Sequence, residues 1–171
     1  RLGEIAAAMH LEMRSSENGN VRVWCDGQEI TDAIRTPEVT RGVSEVADSE
    51  PVRRALVAQQ RALGLETPSI LEGRDITTVV FPDARWKFFL EAELAIRAER
   101  RLDQMHQSGR TASLESVRWD LEERDRRDRI RPWGALQLAP DAVVLDTSAM
   151  AQNQVVDLIV SWVLLDHRGK D

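Results

Sequence analysis

Three short apolar runs, Ser69-Ile-Leu-Glu72, Trp86-Lys-Phe-Phe-Leu90 and Ala142-Val-Val-Leu145, are bounded by Pro, Gly or Asp and separated by stretches of helical periodicity. Runs of that kind fit parallel strands covered on both faces. The helical stretches fall at 93–108, 113–130 and 151–167. Strands alternating with helices indicate an α/β sheet, whose ligands sit at the carboxyl ends of the strands. With 171 residues, 42% of them hydrophobic, the chain is long enough for one domain with a buried core.

The segment before these runs reads differently. Leu2, Ile5, Met9 and Met13 fall at three- and four-residue spacing, the pattern of an amphipathic helix already under way at Arg1. The absence of a cap and of an initiator Met predicts the downstream part of a longer product. A polar turn follows at 15–20, and then Val21-Arg-Val-Trp-Cys25, Asp26-Gly27 and Gln28-Glu-Ile-Thr31. Asp-Gly between two short strands predicts a tight hairpin, because both central residues need positive φ. Thr36-Pro37 predicts a helix start, with the hydroxyl as cap and proline in the first turn. Val39, Val43 and Val46 would be its buried stripe. A second helix is expected from Ser49-Glu-Pro51 through Val52, Leu56 and Leu63 towards Gly64.

Charge narrows the function classes. Asp and Glu number 29 against 23 Lys and Arg, a net charge of −6, which argues against a nucleic-acid polymer as partner. Only Lys87 and Lys170 are lysines, so nearly every cation is arginine. That bias reflects either codon usage or a site that needs planar, two-pronged donors for phosphate or carboxylate. The longest nearly uninterrupted apolar stretch, 158–165, is too short for a membrane helix. A single cysteine, Cys25, can form no internal disulfide or metal cluster, and predicts a reducing, cytoplasmic setting. His10, His106 and His167 are scattered, and no G-x-x-x-x-G-K-[ST] phosphate loop occurs in the sequence.

The helix expected at 113–130 carries the most specific chemistry. Leu114, Val117 and Leu121 form a core stripe, and the same stripe continues through Arg124 and Asp128 to Arg131. Charges on an inward face need partners. Either the arginines satisfy Asp128 in an internal ladder, or they grip a phosphate while Asp128 accepts from a hydroxyl. A second set, Glu72-Gly73-Arg74-Asp75, follows an expected strand directly, where Gly73 permits a sharp turn and Arg74 and Asp75 would stand at the strand's carboxyl end. Ser44 and Arg53, near the corner between the two earlier helices, make a third set that carries no meaning alone.

Taken in order, these segments resemble the bacterial cytidylate (CMP/dCMP) kinase family from its middle to its C-terminus. The similarity runs through Ile34-Arg-Thr-Pro-Glu-Val-Thr40, Val43-Ser-Glu-Val-Ala47, Pro51-Val-Arg53 and Glu72-Gly-Arg-Asp-Ile-Thr-Thr-Val-Val-Phe-Pro-Asp-Ala84. It continues in Arg97-Ala-Glu-Arg-Arg101, Glu123-Arg-Asp-Arg-Arg-Asp-Arg129 and Asp141-Ala-Val-Val-Leu-Asp-Thr147. Effectively the whole chain is covered, and the Glu-Gly-Arg-Asp to Pro-Asp-Ala stretch is highly specific for this family.

The resemblance implies a three-layer parallel-sheet nucleoside monophosphate kinase fold of the P-loop NTPase-like kind, with its first strands missing from residues 1–171. It also implies a small antiparallel hairpin within a monophosphate-binding insert over 15–66, and a lid region with flanking helices over 97–131. The missing first strand would lie between the strands matching Ser69–Glu72 and Trp86–Leu90 and leave an apolar slot there. The implied reaction is ATP + (d)CMP to ADP + (d)CDP, in pyrimidine nucleotide metabolism. Mg²⁺ would accompany ATP, the protein would be a cytoplasmic monomer, and no membrane would be involved. Ser44, Arg53 and Asp75 would read the cytosine edge, Arg74 would hold the phosphate, and Arg124 with Asp128 the ribose. Arg131 would complete the pocket near base and phosphate, and Arg74 and Arg131 would be the catalytic cations. Arg97, Arg100 and Arg101 would begin the lid and shield the transferred phosphoryl group. Without a phosphate loop in the sequence, the chain by itself is expected to be an inactive fragment. The rival reading is a non-catalytic nucleotide-binding or regulatory module derived from the kinase. Two departures stand out: Thr77 where the family usually has glycine, and Trp133-Gly134 in place of a small-residue segment before the last strand.

Overall fold

The computed structural model describes residues 1–15 and 21–168, so the expected turn over 15–20 lies almost wholly outside the described residues. The chain divides into two compact units, Arg1–Pro82 with Arg131–Gln137, and Asp83–Ile130 with Leu138–Asp171.

In the first unit, α1 (Leu2–Ala8) ends well before Met13, because Met9 turns extended at φ −65° and ψ 138°. The expected continuous helix is therefore corrected: Leu11–Ser15 is a strand, β1, paired antiparallel with β2 (Val21–Cys25) from Leu11↔Cys25 to Ser15↔Val21. Spacing alone could not reveal this, since the ladder that claims β1 is non-local. The Asp26 carboxylate accepts from the His10 N–H (2.8 Å), and the Asp26 N–H donates to the His10 carbonyl (2.9 Å), fixing the register. β3 (Gln28–Glu29) folds back on β2, and Asp26 and Gly27 both take positive φ, +49° and +80°, as the Asp-Gly pair predicts. The antiparallel sheet thus has three strands, in the order β1-β2-β3, rather than being a hairpin alone.

Helix α2 (Pro37–Ala47) begins as its sequence predicts, with the Thr36 hydroxyl accepting from the Val39 N–H at 3.4 Å. Its expected apolar stripe is not a core, for Val39, Val43 and Val46 are all exposed. Helix α3 (Glu50–Glu66) follows after a break at Asp48 and Ser49. Its Gln59 amide donates to the Ala6 carbonyl at 2.8 Å, and a Cβ on Gly3 would fall 2.5 Å from the Pro51 side chain, so α1 lies directly on α3. Among the described residues, Ala6, Val52 and Val80 are the buried apolar residues of this unit.

The run Ser69-Ile-Leu-Glu72 is not a strand, which corrects a second expectation: it pairs with no strand among the described residues, and Ile70 is fully exposed. Apolar residues make a strand only where another backbone accepts their hydrogen bonds. Beyond it, Ile76–Val80 forms a single π-helical turn whose amides converge on the Asp75 carbonyl, from Val79 at 2.8 Å and Val80 at 3.2 Å. Arg61 of α3 closes the far end by donating to the carbonyls of Val79 and Val80, each at 2.7 Å.

The second unit pairs β4 (Phe88–Glu91) in parallel with β5 (Val143–Asp146), from Phe88↔Val143 to Glu91↔Asp146. Helices α4 (Leu94–Gln107), α5 (Leu114–Ile130) and α6 (Gln152–Arg168) lie close to their expected bounds. The α/β class holds. The two strands are not covered on both faces as expected, since Leu90 and Val144 are about half exposed, at 52% and 44%. Ala98, Val117, Ala139 and Leu145 are buried. Lys87 is buried at the entry to β4 and donates to both carboxylate oxygens of Asp141, at 2.9 and 2.7 Å. That hydrogen bond holds the Asp141 carboxyl below its usual range, so the stability it contributes is complete above the ordinary aspartate value and drains as pH falls through the lowered one. Among the described residues no helix is long and apolar enough to cross a membrane.

Candidate functional site

Three residues far apart in sequence meet in the first unit. Arg53 sits in the first turn of α3, Asp75 immediately precedes the π-helical turn, and Arg131 opens the segment Arg131–Gln137. The Pro51 start of α3 fixes where Arg53 emerges, and the turn gathered on the Asp75 carbonyl fixes its carboxylate. The Arg53 guanidinium donates to Asp75 Oδ2, and both side chains are largely removed from water, at 19% and 8% exposure. A charge-assisted pair so placed is rigid, and an isolated partner would be costly to leave behind.

Arg131 adds a second cation to this pair. Its side chain is 20% exposed, and its Nε lies 3.4 Å from Asp48 Oδ1 at the corner between α2 and α3. Burial first, and then the like charge of Arg131, pull the Arg53 guanidinium below its usual range. The cluster therefore holds two guanidinium groups against two carboxylates. Such a set can donate in-plane to carbonyl, ring-nitrogen or phosphate oxygen acceptors, and can accept from an amine. Arg74, half-buried beside Asp75, adds a further guanidinium to the same loop.

Gly134 brings the backbone directly onto the pair. Its φ is +67°, and a Cβ there would stand 2.5 Å from Asp75 Oδ2 and 2.6 Å from Arg53 Nη2. Trp133 beside it faces a guanidinium as well, with Arg54 Cζ 5.9 Å from the ring centroid. The departure noted at Trp133-Gly134 is thus a fitted part of the cluster. Sequence reasoning missed Gly134 and Asp48 as site residues. Pro132 two residues before Gly134 signals a turn but not which side chains that turn would meet, and Asp48 reads locally as a helix C-terminus.

The other expected residues stand elsewhere. Ser44 is on α2, but its side chain lies outside the described residues. Arg124 and Asp128 belong to the second unit, where Asp128 is buried at 5% side-chain exposure and Arg124 Nε lies 3.8 Å from its Oδ2. Arg124 itself is 61% exposed, so the inward stripe expected along α5 is corrected: Val117 and Asp128 are buried while the long Arg124 stem runs out to water. Arg97 bridges α4 to α5 through Asp125 at 2.7 Å and donates to the Ala92 carbonyl at 3.0 Å. Arg100 donates to the carbonyls of Thr147 (2.7 Å) and Met150 (2.9 Å), fastening the turn after β5. Arg101 is exposed and reaches Gln104 at 3.4 Å. No group of three or more His, Cys, Asp or Glu among the described residues could hold a metal ion.

Comparison with known proteins places the chain in a family. The cytidylate kinase family model matches residues 1–164. A bifunctional pantoate ligase/cytidylate kinase of Synechococcus sp. is 46% identical over 162 residues, covering 94% of this chain and 30% of that protein. The cytidylate kinase of Pelotomaculum thermopropionicum is 39% identical over 167 residues, 98% of this chain and 74% of the relative. That of Paraburkholderia phymatum is 43% identical over 161 residues, 94% and 68% respectively. The chain thus spans under a third of the bifunctional relative and roughly 70% of the other two.

Proposed function

The chain belongs to the cytidylate kinase family, and from that premise we propose that Arg53, Asp75 and Arg131 hold the base and phosphate of CMP or dCMP in a phosphoryl transfer from ATP. The observation that carries this reading is the buried Arg53–Asp75 pair with Arg131 close beside it. Cytosine presents an amino donor at N4 next to acceptors at N3 and O2. Asp75 would accept from the amine while Arg53 donates to the ring edge, with Ser44 as a further contact. Arg74 and Arg131 would take phosphate oxygens and offset the charge that develops during transfer. Arg97, Arg100 and Arg101 would serve the lid, Arg97 and Arg100 mainly by holding their helices and the turn after β5 in place. Mg²⁺ would enter as part of the ATP substrate.

This arrangement predicts selectivity at the base. Uracil replaces the N4 amine with a carbonyl, which would face the Asp75 carboxylate oxygen to oxygen. Calorimetric titration should find UMP weaker than CMP by about 1–3 kcal/mol. Equal affinity for the two would overturn the base-reading role.

Residues 1–171 contain no G-x-x-x-x-G-K-[ST] phosphate loop to cradle ATP. We expect this polypeptide by itself to release no ADP from ATP and CMP in a coupled assay. Turnover by residues 1–171 would refute that expectation.

A further inference from the structure

We propose that Asp48 sets how tightly the site holds a monophosphate, because its carboxylate occupies Arg131 where a phosphate oxygen would bind. This inference rests on the role given above to Arg131 and extends it to a residue outside the expected set. Asp48 stands at the C-terminal corner of α2, and its Oδ1 lies 3.4 Å from Arg131 Nε. It is 47% exposed while Arg131 is only 20% exposed, so the carboxylate comes to the guanidinium from the solvent side. Arg131 also acts electrostatically on a second cation, Arg53, whose own carboxylate partner is the buried Asp75. Of the two acids in the cluster, Asp75 is locked in and Asp48 is the one that can yield.

A carboxylate and a phosphate offer a guanidinium the same kind of oxygen, so they compete for it. A phosphate entering the cluster must displace Asp48 from Arg131 or bind beside its negative charge. Either way Asp48 weakens the grip on the phosphate and leaves the grip on the base untouched. Nothing comparable acts on the nucleoside.

The test is calorimetric titration of the wild-type chain and the variants Asp48→Asn and Asp48→Glu with CMP and with cytidine. Asp48→Asn keeps the size of the side chain and removes the competing charge. We expect it to bind CMP about two- to fivefold more tightly, the range set by a partly exposed ion pair, and to bind cytidine as the wild type does. Asp48→Glu should return CMP affinity to near the wild-type value. The CMP advantage of Asp48→Asn should shrink as salt is raised, because the effect is one of charge. If the wild type binds CMP but Asp48→Asn binds it equally or more weakly, this inference fails and the proposed site stands. If the wild type binds no CMP at all, the proposed site fails and the inference falls with it.

Discussion

Asp75→Ala should cost the first unit about 3–5 kcal/mol of unfolding free energy and abolish CMP binding. The stability loss comes from what the substitution leaves behind. Arg53 is four-fifths removed from water and already pulled below its usual range by burial and by Arg131. Without Asp75, the Arg53 guanidinium would lie buried near a second cation, Arg131, with no carboxylate directly on it. Asp75→Asn should lose less stability, since an amide oxygen still accepts from Arg53, yet it should lose the preference for CMP over UMP. The double variant Asp75→Ala/Arg53→Met should recover much of the stability, because no charge is then stranded. Urea melts of the single and double variants decide the matter. A single variant as stable as wild type, or a double variant that is no better than the single, would contradict the stranded-charge account.

Gly134→Ala should be nearly as damaging, through geometry instead of charge. At φ +67° a side chain costs about 1–2 kcal/mol in backbone strain alone. The added Cβ would also stand 2.5 Å from Asp75 Oδ2 and 2.6 Å from Arg53 Nη2, distances that force the ion pair or the 131–137 segment to move. Both effects act on the same cluster, so denaturant melts should show a loss beyond the strain term and CMP titration a fall in affinity. Wild-type stability with wild-type CMP affinity would show that the backbone at Gly134 has room to give. Gly27, whose added Cβ would meet nothing, supplies the contrast: an alanine there should cost the strain and leave CMP binding alone.

Local chemistry was readable wherever one residue type determines one backbone feature. Asp26-Gly27 adopts the paired positive φ of a tight hairpin, and Thr36-Pro37 caps and opens α2. Helices α4, α5 and α6 follow from periodicity, and β4 and β5 from short apolar runs between breakers. Periodicity misled at Met9 and Met13, because β1 owes its conformation to β2 across the sheet and a three- or four-residue spacing says nothing about that. The run at 69–72 misled in the opposite direction: its composition suits a strand, but a strand also needs a hydrogen-bonded neighbour.

The site was legible in part for the same reasons. Arg53, Asp75 and Arg131 were singled out from the sequence, and the fold of the first unit brings them together. Asp48 and Gly134 were not, since each acquires its role from a contact with a residue dozens of positions away. The α5 stripe shows the limit of helical arithmetic. Asp128 is buried as its position requires, while four positions earlier the long stem of Arg124 carries its charge back to solvent.

The central claim is that the Arg53, Asp75 and Arg131 cluster binds a cytosine monophosphate, and the guanidinium groups can report on it directly. In a ¹H–¹⁵N titration of arginine side chains, CMP should shift the Nε–Hε signals of Arg53 and Arg131 along one saturable curve, and an excess of UMP should shift them far less. Signals from these two arginines that stay in place at CMP concentrations saturating the protein by calorimetry would contradict the account.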